Sequence, residues 1–355
     1  MSADLRCPSC GTSTGVGALF CEACGHDLPP ATAAPATDAT TATTAIAGPP
    51  AGRAAGCAEC GAPVDPDGYC TECGTKAPPA RDHLVEQPQP WVAAVSDRGR
   101  RHHRNEDAMA VAADLAPASR AVLVVCDGVS SAQDSDVASL AAARAARAVL
   151  VGSQARGMGT PEALAAAISA RLQAAATAAS EAVAAVTAQP PGPNPPSCTF
   201  VAAVVDGPQV LVAVIGDSRA YWVPDDGPGL ALTVDDSWAA EQMAAGVPRA
   251  EAESGPQGHA ITRWLGVDAP TGPARVSGVR ADQPGWLVVC SDGLWNYCSA
   301  ADDLATLVRA TSPDVDHQPL ALADRLVGWA NDQGGRDNIT VALARLDPAP
   351  RRPAP

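Results

Sequence analysis

The chain has 355 residues, enough for about two domains, and a formal net charge of −15. That charge argues against a nucleic-acid footprint and against attraction to an anionic membrane surface. The first residues, MSADLRCPSCG, lack a basic-then-apolar signal, and no run reaches the length of a spanning helix, so a cytoplasmic protein is expected. Eight of the twelve cysteines fall in the first ninety residues, where aliphatics are few; the remainder is rich in Val, Leu and Ala and can build a core.

Cys7-Pro-Ser-Cys10-Gly and Cys21-Glu-Ala-Cys24-Gly are two CxxCG knuckles with ten residues between them, a spacing that lets four thiolates meet around one tetrahedral zinc. Cys57, Cys60, Cys70 and Cys73 repeat the unit with nine residues between knuckles. All four positions of each set are protein thiolates, so the expectation is two structural Zn2+ ions whose binding supplies the folding free energy of segments too small for a core. Residues 7–28 and 57–76 resemble the double zinc ribbons beside bacterial regulatory domains. Taking each knuckle pair as a module gives ribbons at 1–28 and 57–76, an Ala/Thr/Pro-rich linker at 29–56, a second linker at 77–90, one large domain at 91–347 and a disordered tail at 348–355.

From Trp91 the pattern is that of a packed domain. WVAAVSD reads as a strand, followed by a charged turn, GRRHHRNED, and a strand from Ala108 to Ala113. Ala121 to Cys126 is a buried strand ending in Asp127-Gly128. Ser135 or Asp136 is placed to cap a helix reaching Val151, and Thr160-Pro161-Glu162 opens a longer helix to about Thr187. Strands are expected at 199–205, 210–215 and 220–223, then a flap or insertion over 233–265 carrying a short helix from Trp238. A strand from Trp286 to Cys290 precedes Asp292-Gly293. Ser299 to Asp302 looks like a capping box opening a helix, Leu320 to Trp329 forms another, and Ile339 to Ala344 is the closing strand.

Asp107, Asp127, Asp217, Asp292 and Asp337 all sit beside apolar strands in turns rich in glycine, serine or asparagine. Each alone is an ordinary turn residue. Together, converging carboxylates would repel unless cations held them, and an oxygen-only donor set selects hard ions such as Mg2+ or Mn2+. Two such ions suit phosphate-ester hydrolysis.

The ordered motifs RNEDA (104–108), VCDGVS (125–130), SCTFVAAVV (197–205), GDSRAY (216–221), LTVDDSW (232–238), ITRWLG (261–266), VVCSDGLW (288–295) and GRDNITVA (335–342) resemble the metal-dependent serine/threonine protein phosphatases of type 2C, over about Trp91 to Leu346. The resemblance implies an α+β fold, a four-layer α-β-β-α sandwich of two antiparallel sheets with outer helices. It implies two or three Mn2+ or Mg2+ ions: Asp127 and the Gly128 carbonyl, with Asp107, Asp292 and Asp337, at the core, Glu106 through a water, and Asp217 at a third, weaker position. Asn338 is implied as a structural neighbour of Asp337. The activity implied is hydrolysis of phosphoserine and phosphothreonine on proteins by metal-activated hydroxide, without a phosphoenzyme, opposing serine/threonine kinases in bacterial signalling; the ribbons would be a protein-interaction module. The alternative is a phosphatase-like adaptor that only binds phosphoproteins. One departure stands out: five residues before Asp107 the family usually has a phosphate-binding arginine, and this chain has His102, so His102, or Arg101 or Arg104 beside it, is expected to take that role. Cys126, Cys198, Cys290 and Cys298 read as core residues, not nucleophiles.

Overall fold

The computed structural model describes residues 5–6, 12–14, 57, 59–152 and 159–347. The first four ribbon cysteines, Cys7, Cys10, Cys21 and Cys24, the linker expected at 29–56 and the tail expected at 348–355 lie outside the described residues. The chain divides into two compact units, Met1–Asp82 and His83–Pro355.

In the first unit, strands β1 (Leu5–Arg6) and β2 (Ser13–Thr14) pair antiparallel. Downstream, Cys57 and Cys70 are buried while Cys60 and Cys73 are exposed, and isolated bridges join Val64 to Cys70 and Tyr69 to Lys76.

The second unit carries eleven strands in two antiparallel sheets. The six-stranded sheet has the order β10-β9-β12-β13-β4-β3, made of Leu230–Ala231 (β10), Arg219–Pro224 (β9), Gly285–Cys290 (β12), Ile339–Leu346 (β13), Val92–Asp97 (β4) and His83–Gln89 (β3). The five-stranded sheet has the order β11-β8-β7-β6-β5, made of Arg275–Arg280 (β11), Gln209–Ile215 (β8), Phe200–Asp206 (β7), Arg120–Cys126 (β6) and Ala108–Ala113 (β5). The period-two alternation of strand side chains decides what each sheet touches. Leu123, Val125, Leu287, Val289, Ala342 and Ala344 point between the sheets with Trp222 and Val212. Their neighbours Val288, Cys290, Val341 and Leu343 point outward, against Leu304, Val308, Leu322 and Leu326. Those last four belong to helices α6 (Ala301–Thr311) and α7 (Pro319–Gln333), which cover the six-stranded sheet with the short α5 (Asp292–Trp295). Helices α1 (Ser135–Val151) and α2 (Pro161–Val186) pack on each other and on the five-stranded sheet. The result is the four-layer α-β-β-α sandwich, with α3 (Trp238–Ala244) and α4 (Arg249–Ser254) in the 233–265 insertion.

Three local expectations change, and strand β11, which was not among the expected strands, pairs with β8. Residues 83–89, expected within the second linker, are edge strand β3, paired with β4. Helix α1 has Asp134 at its cap position in a left-handed conformation with no side-chain cap bond, and Ser135 lies inside the helix, its hydroxyl turned instead to Glu106. Ser299 does not cap α6, whose cap residue is Ala300; its hydroxyl donates to Glu253. Thr160 does cap α2, accepting from the Ala163 amide at 3.2 Å. Among the described residues no helix is long and apolar enough to cross a membrane.

Candidate metal centre

Strand register brings the acids to one end of the sandwich. Ala108 pairs with Cys126, so Asp107, just before β5, and Asp127, just after β6, lie side by side. Cys290 pairs with both Val341 and Arg219, so Asp292 beyond β12, Asp337 before β13 and Asp217 before β9 fall at the same end of the other sheet. Gly128 is a close-approach position: a Cβ there would stand 2.6 Å from the Glu106 carbonyl oxygen and 2.9 Å from that of Ser135.

Burial and mutual repulsion dominate the electrostatics of these acids. Burial, then the carboxylates of Asp107, Asp292, Asp337 and Asp217, push Asp127 well above the usual carboxylate range. Burial followed by Asp337, Asp217 and Asp107 does the same to Asp292. Burial raises Asp217 to about 7 and Asp107 to about 6, the latter against hydrogen bonds from Thr340 and Ser291 that favour its anion. Both hydroxyls donate to Asp107 Oδ2 at 2.7 Å. Asp292 Oδ2 accepts from Asn296 Nδ2 at 2.9 Å, while its Oδ1 is buried with no hydrogen-bond partner. A buried, unsatisfied carboxylate oxygen is costly unless a cation takes it, so this donor set fits one or more hard divalent ions. Among the described residues, only the ribbon cysteines bring three or more ligand atoms within 4.8 Å of one another; a hard-ion centre that keeps several waters does not demand such closeness of its acids.

Glu106 is held from three sides. Its Oε1 accepts from Ser135 Oγ at 2.6 Å and from Arg104 Nη2 at 2.8 Å, and its backbone amide donates to Asn338 Oδ1 at 2.8 Å. Arg104, expected as a candidate phosphate ligand, thus spends its guanidinium on Glu106 and, at 3.4 Å, on Asp136. His102 stands nearer the acids, with Nε2 3.1 Å from Asp337 Oδ1 and Nδ1 3.5 Å from Glu106 Oε2. Asn338 Nδ2 donates to the carbonyls of Arg98 (2.7 Å) and Arg104 (3.1 Å), closing both ends of the charged turn against the residue next to Asp337. Gly99 in that turn has φ +74° and no room for a Cβ, which would fall 2.1 Å from the Asp337 carbonyl oxygen.

Asp217 is fixed through its backbone: its carbonyl accepts from Trp295 Nε1 at 2.9 Å. The guanidinium of Arg219 lies 3.5 Å from the centre of the Trp295 ring and meets the buried Asp235 at 2.7 Å. The insertion therefore attaches next to Asp217. Sequence reading found the acids and His102, and missed Ser291, Thr340 and Ser135, which orient them. Ser291 and Thr340 are adjacent or near-adjacent to candidate ligands, but nothing in SDG or DNIT says that both hydroxyls turn to Asp107.

The four cysteines beside the strands are buried. Burial pushes the Cys126 and Cys290 thiols well above their ordinary values and Cys298 up to about 12, which removes them as nucleophiles at neutral pH. In the first unit, Cys57 Sγ is 3.4 Å from Cys73 Sγ, and Cys60 Sγ is 3.4 Å from Cys70 Sγ and 3.5 Å from Cys73 Sγ. Hydrogen bonds with Thr75 hold Cys73 down at about 6 and the Cys73 amide lowers Cys70. Against the Ala62 backbone, the neighbouring sulfurs of Cys70 and Cys73 push Cys60 up to about 12, so without a cation the four thiols do not all ionise.

Comparison with known proteins bears on the family and the fold. Residues 7–74 match the double zinc ribbon family. The protein phosphatase PhpP of Streptococcus pneumoniae is 34% identical over 148 residues, covering 41% of this chain and 56% of that protein; the chain spans about half the length of the first curated relatives it matches. The solved serine/threonine phosphatase PstP/Ppp of Mycobacterium tuberculosis superposes with a TM-score of 0.56 at 27% identity, over 74% of this chain and 99% of that one. The catalytic domain of PstP in complex with two manganese ions gives a TM-score of 0.54 at 25% identity, over 75% of this chain and all of that one (100%). Residues 98–329, the larger part of the chain, match the protein phosphatase 2C family, to which this chain therefore belongs.

Proposed function

We propose that the chain hydrolyses phosphoserine and phosphothreonine on proteins, opposing serine/threonine kinases in bacterial signalling. The observation that carries this reading is the crowding of Asp127 by four other carboxylates at one end of the sandwich, with a buried Asp292 oxygen left unsatisfied. Two core Mn2+ or Mg2+ ions would be held by Asp127, Asp107, Asp292, Asp337 and the Gly128 carbonyl, with Glu106 acting through water and Asp217 at a third position. When bound, such ions neutralise the phosphoryl oxygens and activate water at neutral pH. Ser291 and Thr340 keep Asp107 ionised and fixed. His102 is assigned to the substrate phosphate, its ring already beside Asp337, and Arg104 to holding Glu106 in place, its guanidinium being taken. Catalysis on this reading is positional and electrostatic.

The domain layout proposed is a zinc ribbon at 1–28 and another at 57–76, each with one Zn2+, the described cysteine set supporting the second. They are assigned a protein-docking role, and the protein a cytoplasmic setting. The test is phosphate release from a phosphothreonine peptide with Mn2+, Mg2+ or EDTA, beside Asp127→Asn. Metal-dependent release lost in the variant is expected. Absence of release with either metal, while Mn2+ still binds by calorimetry, would favour a phosphopeptide-binding adaptor instead.

A further inference from the structure

The turn between β4 and β5 is unusual in this acidic protein. Residues 98–104 read Arg-Gly-Arg-Arg-His-His-Arg, four of the chain's 24 Lys and Arg within seven positions. The turn is rigid: Asn338 clamps its two ends, the Arg100 amide donates to the Gly335 carbonyl at 2.8 Å, and the Arg98 guanidinium turns inward to the His102 carbonyl at 2.8 Å.

Most of its charge is already spent. Arg100 meets Asp332 at 2.8 Å, and Arg104 meets Glu106 and Asp136. Arg101 and His103 are exposed, and neither has a carboxylate partner among the described residues. They flank His102, whose ring touches Asp337. Their backbone positions are thus one residue, about 3.8 Å of chain, from a residue at the acids, within an arginine's reach of whatever lies beside a phosphorylated side chain there. A net charge of −15 repels acidic polypeptides elsewhere on the surface, so a local cationic rim at the cleft changes which substrates arrive and stay.

We propose that the 98–104 turn is a specificity rim, and that Arg101, with His103, reads acidic side chains adjacent to the phosphorylated residue, so that the preferred substrates are phosphopeptides with Asp or Glu flanks. The inference rests on the phosphatase reading for its cleft, and is tested separately from it.

The test uses two fluorescent phosphothreonine peptides that differ only in having acidic or lysine flanks, with the full chain and Mn2+. Anisotropy gives binding, and phosphate release gives kcat/KM. The intact protein should favour the acidic peptide, and the preference should shrink as salt rises from about 0.02 to about 0.3 M. Arg101→Glu should lower the acidic-to-basic ratio about five- to tenfold, mainly through KM. Arg280→Glu makes the same charge change at the opposite end of the five-stranded sheet and should leave the ratio as it was. Equal binding of the two peptides by the intact protein, or an Arg101→Glu ratio equal to that of Arg280→Glu, would overturn the rim. A binding preference without phosphate release would keep the rim and remove the phosphatase reading; release without preference would do the reverse.

Discussion

His102 Nε2 lies 3.1 Å from Asp337 Oδ1, a histidine at the position where resemblance to the family leads one to expect an arginine. If it binds the substrate phosphate, its loss removes a charge-assisted donor worth about ten- to a hundredfold. His102→Ala should therefore raise KM for a phosphopeptide by at least about tenfold, and His102→Arg should recover most of it. Steady-state kinetics on both variants check this. An unchanged KM in the alanine variant would take His102 out of the phosphate site.

The acid cluster sets a pH dependence on the metal-free fold. Burial holds Asp107 at about 6 and Asp217 at about 7, and pushes Asp127 and Asp292 well above the usual carboxylate range, against about 3.9 for an unfolded aspartate. The folded state then binds more protons than the unfolded one, so stability falls as pH rises from about 4 through the folded values. Protein dialysed free of Mn2+ and Mg2+ should melt higher at about pH 5.5 than at about pH 8, and added Mn2+ should raise Tm more at the higher pH. Thermal melts at both pH values decide it; a metal-free Tm that climbs toward pH 8 contradicts the shifts.

What sequence could and could not show follows from how local each signal is. The acids were legible because an unbroken apolar run such as AVLVVC ending in Asp-Gly marks a buried strand delivering a carboxylate. Strand β3 was not: its burial alternates, it contains Pro88 and Glu86, and it earns its place only by pairing with β4 at a sheet edge. The hydroxyls on Asp107 come from residues 184 and 233 positions away, and Ser299 gives up the cap its spacing suggests because Glu253 reaches it from the insertion. Such partners are fixed by tertiary packing, which no local pattern encodes.

Asp127 is raised first by its burial and then by four other carboxylates. Asp127→Asn should abolish phosphate release by about a thousandfold and weaken Mn2+ binding in calorimetry. Because the change removes a repelling carboxylate, the metal-free variant should melt at or above the wild-type temperature. A variant that loses both activity and metal-free stability would mean that Asp127 is a structural residue.

Zinc removal should act on the ribbon. The sulfurs of Cys57, Cys60, Cys70 and Cys73, some of them 3.4 to 3.5 Å apart, are close enough together to hold one metal ion. Metal analysis of the intact protein should find two zinc ions per chain, and Cys73→Ser should lower that number by one. Two ions retained in the variant would place the second zinc elsewhere.

Arg219 and Asp235 form a buried ion pair at 2.7 Å, each side chain 6% exposed, and Glu253 joins it from α4 through Ser299 and Arg249 at 2.5 and 2.8 Å. Removing only the cation strands the Asp235 carboxylate in the interior, which costs about 3 to 5 kcal/mol. Arg219→Met should show that loss in urea unfolding, together with faster hydrogen exchange over 249–254, where Glu253 loses its inward partner. The double change Arg219→Met with Asp235→Leu leaves no buried charge in the pair and should cost less than half as much. If the double variant is as unstable as the single one, the penalty lies in lost packing of the guanidinium on Trp295, which approach at 3.5 Å, and the ion pair itself contributes little to holding the insertion beside Asp217.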